Sequence, residues 1–155
     1  MRVNIYNTFH NENGLSILIK EKSFNYPKTE KLNSATVVTQ LMNDIFSIHM
    51  RDTEYVYLIS MNTNGRPIGF FELSHGTVNQ SLMSPREIII KALLSNAVNI
   101  IIVHNHPSGC YAPSNEDICV TRKITEALNL VGLKLLDHII ISCEGYYSFA
   151  EHDAL

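Results

Sequence analysis

The sequence predicts an α/β fold in which a mixed sheet is covered by helices. Three observations lead there. Segments rich in β-branched and aromatic residues alternate with segments of helical periodicity along the whole chain. Two strand-like runs, Ile100-Ile101-Ile102-Val103 and Ile139-Ile140-Ile141, are wholly apolar, which suits strands buried on both faces. The stretches Ser84-Pro85-Arg86-Glu87 and Pro113-Ser114-Asn115-Glu116-Asp117 carry the residues with which helices begin.

Residues 1 to about 28 alternate loosely between apolar and polar, with Leu15-Ser16-Ile17-Leu18-Ile19 following Asn13-Gly14. They predict a short hairpin or arm over residues 1–30, ahead of a domain over 31–155. Asn33-Ser34 reads as an N-cap, and Val38, Leu41, Met42, Ile45 and His49 then recur at helical spacing, giving a helix over 35–49. Residues 55–61 read as a strand that Asn64-Gly65 turns back into 68–73, an antiparallel pair. A second helix starts with Ser84 at N-cap, Pro85 at N1 and Glu87 at N3, a capping box, and runs to about Asn96 with Ile88, Ile89, Ala92 and Leu93 on one face.

The strand at 100–103 leads straight into His104-Asn105-His106-Pro107-Ser108-Gly109, where Pro and Gly end it. A third helix follows, with Ile118, Thr121, Ile124, Leu128 and Val131 on its apolar face and Gly132 as its stop. Residues 133–142 read as a further buried strand. The sequence contains no internal repeat, linker or low-complexity stretch.

A chain of 155 residues suits one domain, able to bury roughly 70% of the surface its unfolded form exposes. With 45% apolar and 17% charged residues it is too apolar for a disordered chain. The net charge of -3 and the lack of any dense Lys/Arg run give no footprint for nucleic acid. The N-terminus has no apolar core of a secretory signal, and the apolar runs are far too short to span a bilayer. Three cysteines, Cys110, Cys119 and Cys143, neither pair evenly nor show C-x-x-C spacing, which points to a reducing, cytoplasmic compartment.

The chemistry concentrates after residue 103. His104 and His106 stand two apart at a strand end, so both imidazoles face the same side and can converge on one ion. Asp117 lies in the first turn of the following helix, where the backbone N–H groups orient a carboxylate. Two imidazoles and a carboxylate form a ligand set that zinc accepts, with a fourth position left for water, as catalytic zinc requires. An isolated H-x-H is usually an accident and an Asp at this place usually a cap; the strand–loop–helix context tips the balance towards a metal.

The run His104-Asn105-His106-Pro107-Ser108-Gly109 followed by Pro113-Ser114-Asn115-Glu116-Asp117 resembles the JAMM motif, H-x-H-P-x(6)-S-x-x-D. The flanks His75-Gly76-Thr77, Ser84-Pro85-Arg86-Glu87, Ala92-Leu93, Asn96-Ala97 and Leu136-Asp137-His138-Ile139-Ile140 are similar to the JAB domain of bacterial RadC-like proteins, from about residue 32 to 150. The resemblance implies the MPN fold, an α-β-α sandwich around a curved sheet, and the chemistry of zinc-dependent metalloproteases and isopeptidases acting on a peptide or protein substrate. It implies a catalytic glutamate on an earlier strand, and Glu54, just before Tyr55-Val56-Tyr57-Leu58, occupies the matching position. It also implies that Ser114, whose residue type makes it an N-cap, stabilises a developing oxyanion. Longer RadC proteins carry a helix-hairpin-helix segment ahead of this domain, for which the arm before residue 31 leaves no room.

Two other functions compete: a DNA-processing accessory role of the RadC type, which the charge does not favour, and a non-catalytic MPN scaffold, which usually lacks metal ligands. The letters H-N-H are not those of an HNH nuclease, whose three residues are dispersed, and a zinc deaminase would need H-x-E and P-C-x-x-C. Cys110 stands where relatives commonly carry an acidic residue; a thiolate there could cap an open zinc position, although a plain loop cysteine is the simpler expectation. His138 is expected to be a satisfied buried histidine that could also orient a side chain near the site. His10, His49, His75 and His152 are expected at the surface or in structural roles.

Overall fold

The alternating N-terminal segment becomes two strands. In the computed structural model, which describes residues 1–76 and 83–155, β1 (Arg2–His10) and β2 (Ser16–Asn25) form an antiparallel hairpin. β1 joins the main sheet through the parallel partners Ile5 and Phe70, and Val3 is fully buried. The hairpin therefore extends the sheet.

Helix α1 (Ala35–Phe46) is capped by Ser34, whose side chain accepts the Val37 N–H at 3.3 Å. It ends at Phe46 and not at His49, because Ser47 takes a left-handed conformation (φ 50°) and returns its N–H to the Asn43 carbonyl; a short 3-10 turn, Ile48–Met50, follows. Strands β3 (Glu54–Met61) and β4 (Pro67–Gly76) pair antiparallel. Their turn needs Gly65 at φ +71°, a conformation that a Cβ disfavours. Thr77, which follows β4, lies outside the described residues.

Helix α2 (Pro85–Leu94) corrects one expectation. Ser84 has the extended N-cap backbone, with Pro85 at the first helical position, but its side chain makes no capping bond. Glu87 is drawn instead to two cations, Arg86 at 3.4 Å and Lys91 at 3.5 Å, so the predicted box does not form. The helix also stops at Leu94, short of Asn96.

Strand β5 (Asn99–Asn105), helix α3 (Asn115–Leu130), strand β6 (Lys134–Ile141) and strand β7 (Tyr146–Ser148) complete the order. On α3 the buried face is Asp117, Thr121, Ile124 and Leu128, whereas Ile118 is 50% and Val131 45% exposed. Successive helical residues point about 100° apart; with Asp117 turned inward, Ile118 must turn out.

The sheet has seven strands in the order β2-β1-β4-β3-β5-β6-β7, with β1/β4 and β5/β6 parallel and the other pairs antiparallel. Strand alternation sends Tyr57, Ile59, Ile101 and Val103 to one face, where Val38, Leu41 and Met42 of α1 cover them. Val56, Leu58, Ile100 and Ile102 go to the other face, under Ile88 and Ala92 of α2 and Ile124 and Leu128 of α3. The architecture is thus an α-β-α sandwich around a mixed sheet, the α/β class that the sequence predicts. Register shifts within β1/β2, β3/β4 and β5/β6 bend the ladder locally. Among the described residues no helix is long and apolar enough to cross a membrane.

Candidate metal centre

The site grows out of the end of β5. Because Ile100 and Ile102 face α2 and α3, alternation puts His104 on that face too. The chain then stays in line for one more residue: the His106 N–H donates to the Ile141 carbonyl at 2.9 Å, which keeps His106 on the side of His104. Pro107, with no N–H to offer, ends the ladder.

Asp117 arrives from α3 at position N3 of a complete capping box. The Ser114 hydroxyl oxygen accepts the Asp117 N–H at 3.1 Å, and Asp117 Oδ2 accepts the Ser114 N–H at 2.8 Å and the Ser114 hydroxyl at 2.6 Å. The cap therefore fixes the carboxylate that faces the histidines.

The three side chains converge. His104 Nε2 lies 3.0 Å from His106 Nε2 and 3.2 Å from Asp117 Oδ1, and His106 Nε2 lies 3.5 Å from Asp117 Oδ2. Among the described residues this is the one group of His, Cys, Asp or Glu side chains able to hold an ion. Ligands about 2.0–2.1 Å from a tetrahedral zinc stand about 3.3 Å apart, and the observed separations bracket that value. The donor chemistry fits as well. His106 Nδ1 is 2.9 Å from the Cys110 carbonyl, which only accepts, so Nδ1 carries the hydrogen and the lone pair of the neutral ring sits on Nε2. The 3.0 Å approach of the two Nε2 atoms beside a carboxylate is the arrangement that a cation or a shared proton would bridge.

Electrostatics agree. Burial opposes ionisation of Asp117, but the close approach of His104 and His106 holds it well below the ordinary carboxylate range. The neighbouring Asp117 carboxylate favours the protonated form of His106 and raises it, against the lowering effect of burial, and Glu54 adds a smaller Coulombic raise. His138 is entirely buried and is pushed well below the ordinary imidazole value, first by desolvation and then by the charge of His104. Its Nε2 lies 2.8 Å from His104 Nδ1, and its ring stacks on Phe149 at 4.9 Å and 9°. His138 is both satisfied and directed at His104.

Glu54 is half-buried at the head of β3. Val56 pairs with His104 at the end of the antiparallel β3/β5 ladder, so Glu54 lies just beyond it on β3, near enough to His106 to act on it electrostatically. Alternation gives it the face of Val56, which is the face of the histidines. Ser114 lies beside Asp117 with its hydroxyl hydrogen engaged by that carboxylate. The Cys110 thiol is exposed and outside the ligand group; the residue contributes its backbone carbonyl to His106. His10, His49, His75 and His152 also stand apart from the group; His75 pairs with Glu72 at 2.7 Å and His152 stacks on Tyr147.

Two contributors escape sequence reasoning. Asn105 bridges the Tyr55 N–H (2.8 Å) and the Thr53 carbonyl (3.0 Å), the peptide groups on either side of Glu54. Thr121 bonds both His138 and the Asp117 carbonyl at 2.6 Å. The available signals were an amide side chain between two paired histidines and a hydroxyl one turn after Asp117 on the buried helix face.

An α-β-α sandwich with a His-His-Asp group at the mouth of a central strand defines an α/β domain with a candidate cation site. Residues 32–154 match the RadC-like JAB domain, and the chain belongs to that family. It is 38% identical to a UPF0758 protein of Pelobacter propionicus over 130 residues, covering 83% of this chain and 56% of the relative. It is 37% identical to a UPF0758 protein of Thermotoga maritima over 126 residues (81% and 55%) and 45% identical to one of Clostridium tetani over 102 residues (66% and 45%). The chain thus spans about half the length of the curated relatives it matches.

Proposed function

We propose that the domain is a zinc-dependent hydrolase, a metallopeptidase or isopeptidase of the JAMM type that cleaves an amide bond in a peptide or protein. The carrying observation is the convergence of His104 Nε2, His106 Nε2 and an Asp117 carboxylate, and the Coulombic influence of Glu54 on His106 supports Glu54 as the base beside them. Zinc held there supplies a Lewis acid that lowers the pKa of a bound water towards about 7 and polarises a carbonyl. His104, His106 and Asp117 are the ligands. Glu54 takes the proton of the attacking water and passes it to the leaving amine. Ser114 keeps Asp117 in place through its N–H and its hydroxyl, and rotation of that hydroxyl away from the carboxylate would let it donate to the developing oxyanion. The three exposed, unpaired cysteines suit a reducing cytoplasm.

The test is turnover of the zinc-loaded protein on libraries of peptide-linked and isopeptide-linked substrates, repeated with Glu54→Gln. The variant keeps the shape of the side chain and removes its basicity, so zinc occupancy should be unchanged while the rate falls by about 10²–10⁴-fold. Wild-type turnover that Glu54→Gln leaves intact would remove Glu54 from the mechanism. No cleavage of either linkage by zinc-loaded protein would remove the amide hydrolase itself.

A further inference from the structure

We infer that Thr121, two hydrogen bonds away from the ligand nitrogen, selects the imidazole tautomer with which His104 meets the cation. The Thr121 hydroxyl has one hydrogen and two neighbours at 2.6 Å, the Asp117 carbonyl oxygen and His138 Nδ1. A carbonyl cannot donate, and two oxygen lone pairs facing each other at that distance repel, so the hydroxyl hydrogen belongs to Asp117. His138 Nδ1 must then donate to Thr121 Oγ1. A neutral imidazole with hydrogen on Nδ1 has a bare Nε2, and His138 is fully buried, where the neutral form is favoured. The bare Nε2 faces His104 Nδ1 at 2.8 Å, so His104 donates from Nδ1. The lone pair of His104 is left on Nε2, the atom turned towards His106 and Asp117.

The relay has no slack. The His138 ring is stacked face to face on Phe149, which hinders a ring flip that would exchange its nitrogens. Asp117 and Thr121 are one turn apart on the buried face of α3. A single helical turn therefore supplies the carboxylate to the ion and, through the Asp117 carbonyl, the fixed end of the chain that orders the opposite ligand. Thr121 is a positioning residue: it touches neither the ion nor a substrate. Outer partners of metal-bound histidines set ring orientation and basicity, and their loss typically weakens metal affinity about 10–100-fold.

The inference rests on the metal reading of the site, and its test separates the two. Zinc affinity is measured by competition with a chromogenic chelator for wild type, Thr121→Val and Thr121→Ser, and the protonation pattern of His138 is read by nitrogen NMR of the imidazoles. Wild type should show hydrogen on His138 Nδ1 and none on Nε2. Thr121→Val, which keeps the shape and removes the hydroxyl, should bind zinc about 10–100-fold more weakly and lose that single pattern, and Thr121→Ser should restore both. Wild-type affinity in Thr121→Val, or hydrogen on His138 Nε2 in the wild-type spectrum, would overturn the relay. If wild type itself takes up no zinc, the metal reading fails, while the wild-type spectrum still decides the order of the hydrogens.

Discussion

Asp117 caps α3 and, in the proposed function, ligates zinc, and substitutions can pull these two roles apart. In Asp117→Ala the backbone N–H still reaches the Ser114 oxygen, but the two bonds that Oδ2 accepts, at 2.8 and 2.6 Å, disappear. Loss of that half of the cap costs about 1 kcal/mol, and loss of a negative charge in the first turn about 0.3–1 kcal/mol more. Part is returned, because a buried carboxylate no longer has to be desolvated. The net loss of about 1–2 kcal/mol corresponds to a Tm lower by about 2–8 °C in a chain of this size. Asp117→Asn keeps an acceptor for the Ser114 N–H and should lose only the charge contribution. Under the proposed function zinc responds differently: both variants remove the anionic ligand and should weaken binding by more than about 100-fold, since even the partners of ligands are worth about 10–100-fold. Thermal melts in the presence of a chelator, followed by zinc competition, separate the two effects. If Asp117→Ala lowers the Tm as stated yet binds zinc like wild type, Asp117 is a helix cap and not a ligand.

Ser84→Ala should change stability by less than about 0.5 kcal/mol in urea unfolding, because its side chain makes no capping bond, whereas Ser34→Ala, which breaks a formed cap, should cost about 1 kcal/mol. Chelator-treated protein should lose stability as the pH falls below about 6.5, where an unfolded imidazole takes up a proton that buried His138 refuses. That contribution is present above about 6.5 and declines by up to about 1.4 kcal/mol per pH unit below it. His106, raised by Asp117, has the opposite sign: its contribution is full below about 6.5 and lost as the pH rises through its folded value. Unfolding at pH 5 and 6.5 in wild type and His138→Phe isolates the first effect, and equal slopes in the two proteins would refute it.

The parts of the fold that were legible in the sequence are those set by local period and by turn chemistry. The strands at 54–61 and 99–105 announce themselves by β-branched and aromatic runs, and Asn64-Gly65 and Gly132 mark a turn and a helix end through backbone conformations that suit glycine. The convergence of His104, His106 and Asp117 was legible because strand parity and a helix start are themselves local rules. What was lost depends on tertiary partners. Glu87 had the spacing of a capping residue, but Lys91 and Arg86 claim its carboxylate. Ile118 looked like core until Asp117 took the inward position. Helix α1 ends early because Ser47 turns left-handed, a backbone choice that its side chain does not advertise. The relay from Thr121 through His138 joins α3 to β6, 17 residues apart in sequence, and no local pattern reports such a pairing.

The central claim is that His104, His106 and Asp117 form a cation site, and zinc stoichiometry tests it most directly. Protein equilibrated with zinc, freed of excess metal and analysed for elemental content should carry one zinc per chain, and His106→Ala should carry none while keeping the circular dichroism of the folded sandwich. Wild-type protein that retains no zinc under those conditions, or a His106→Ala variant that retains a full equivalent, would contradict the assignment.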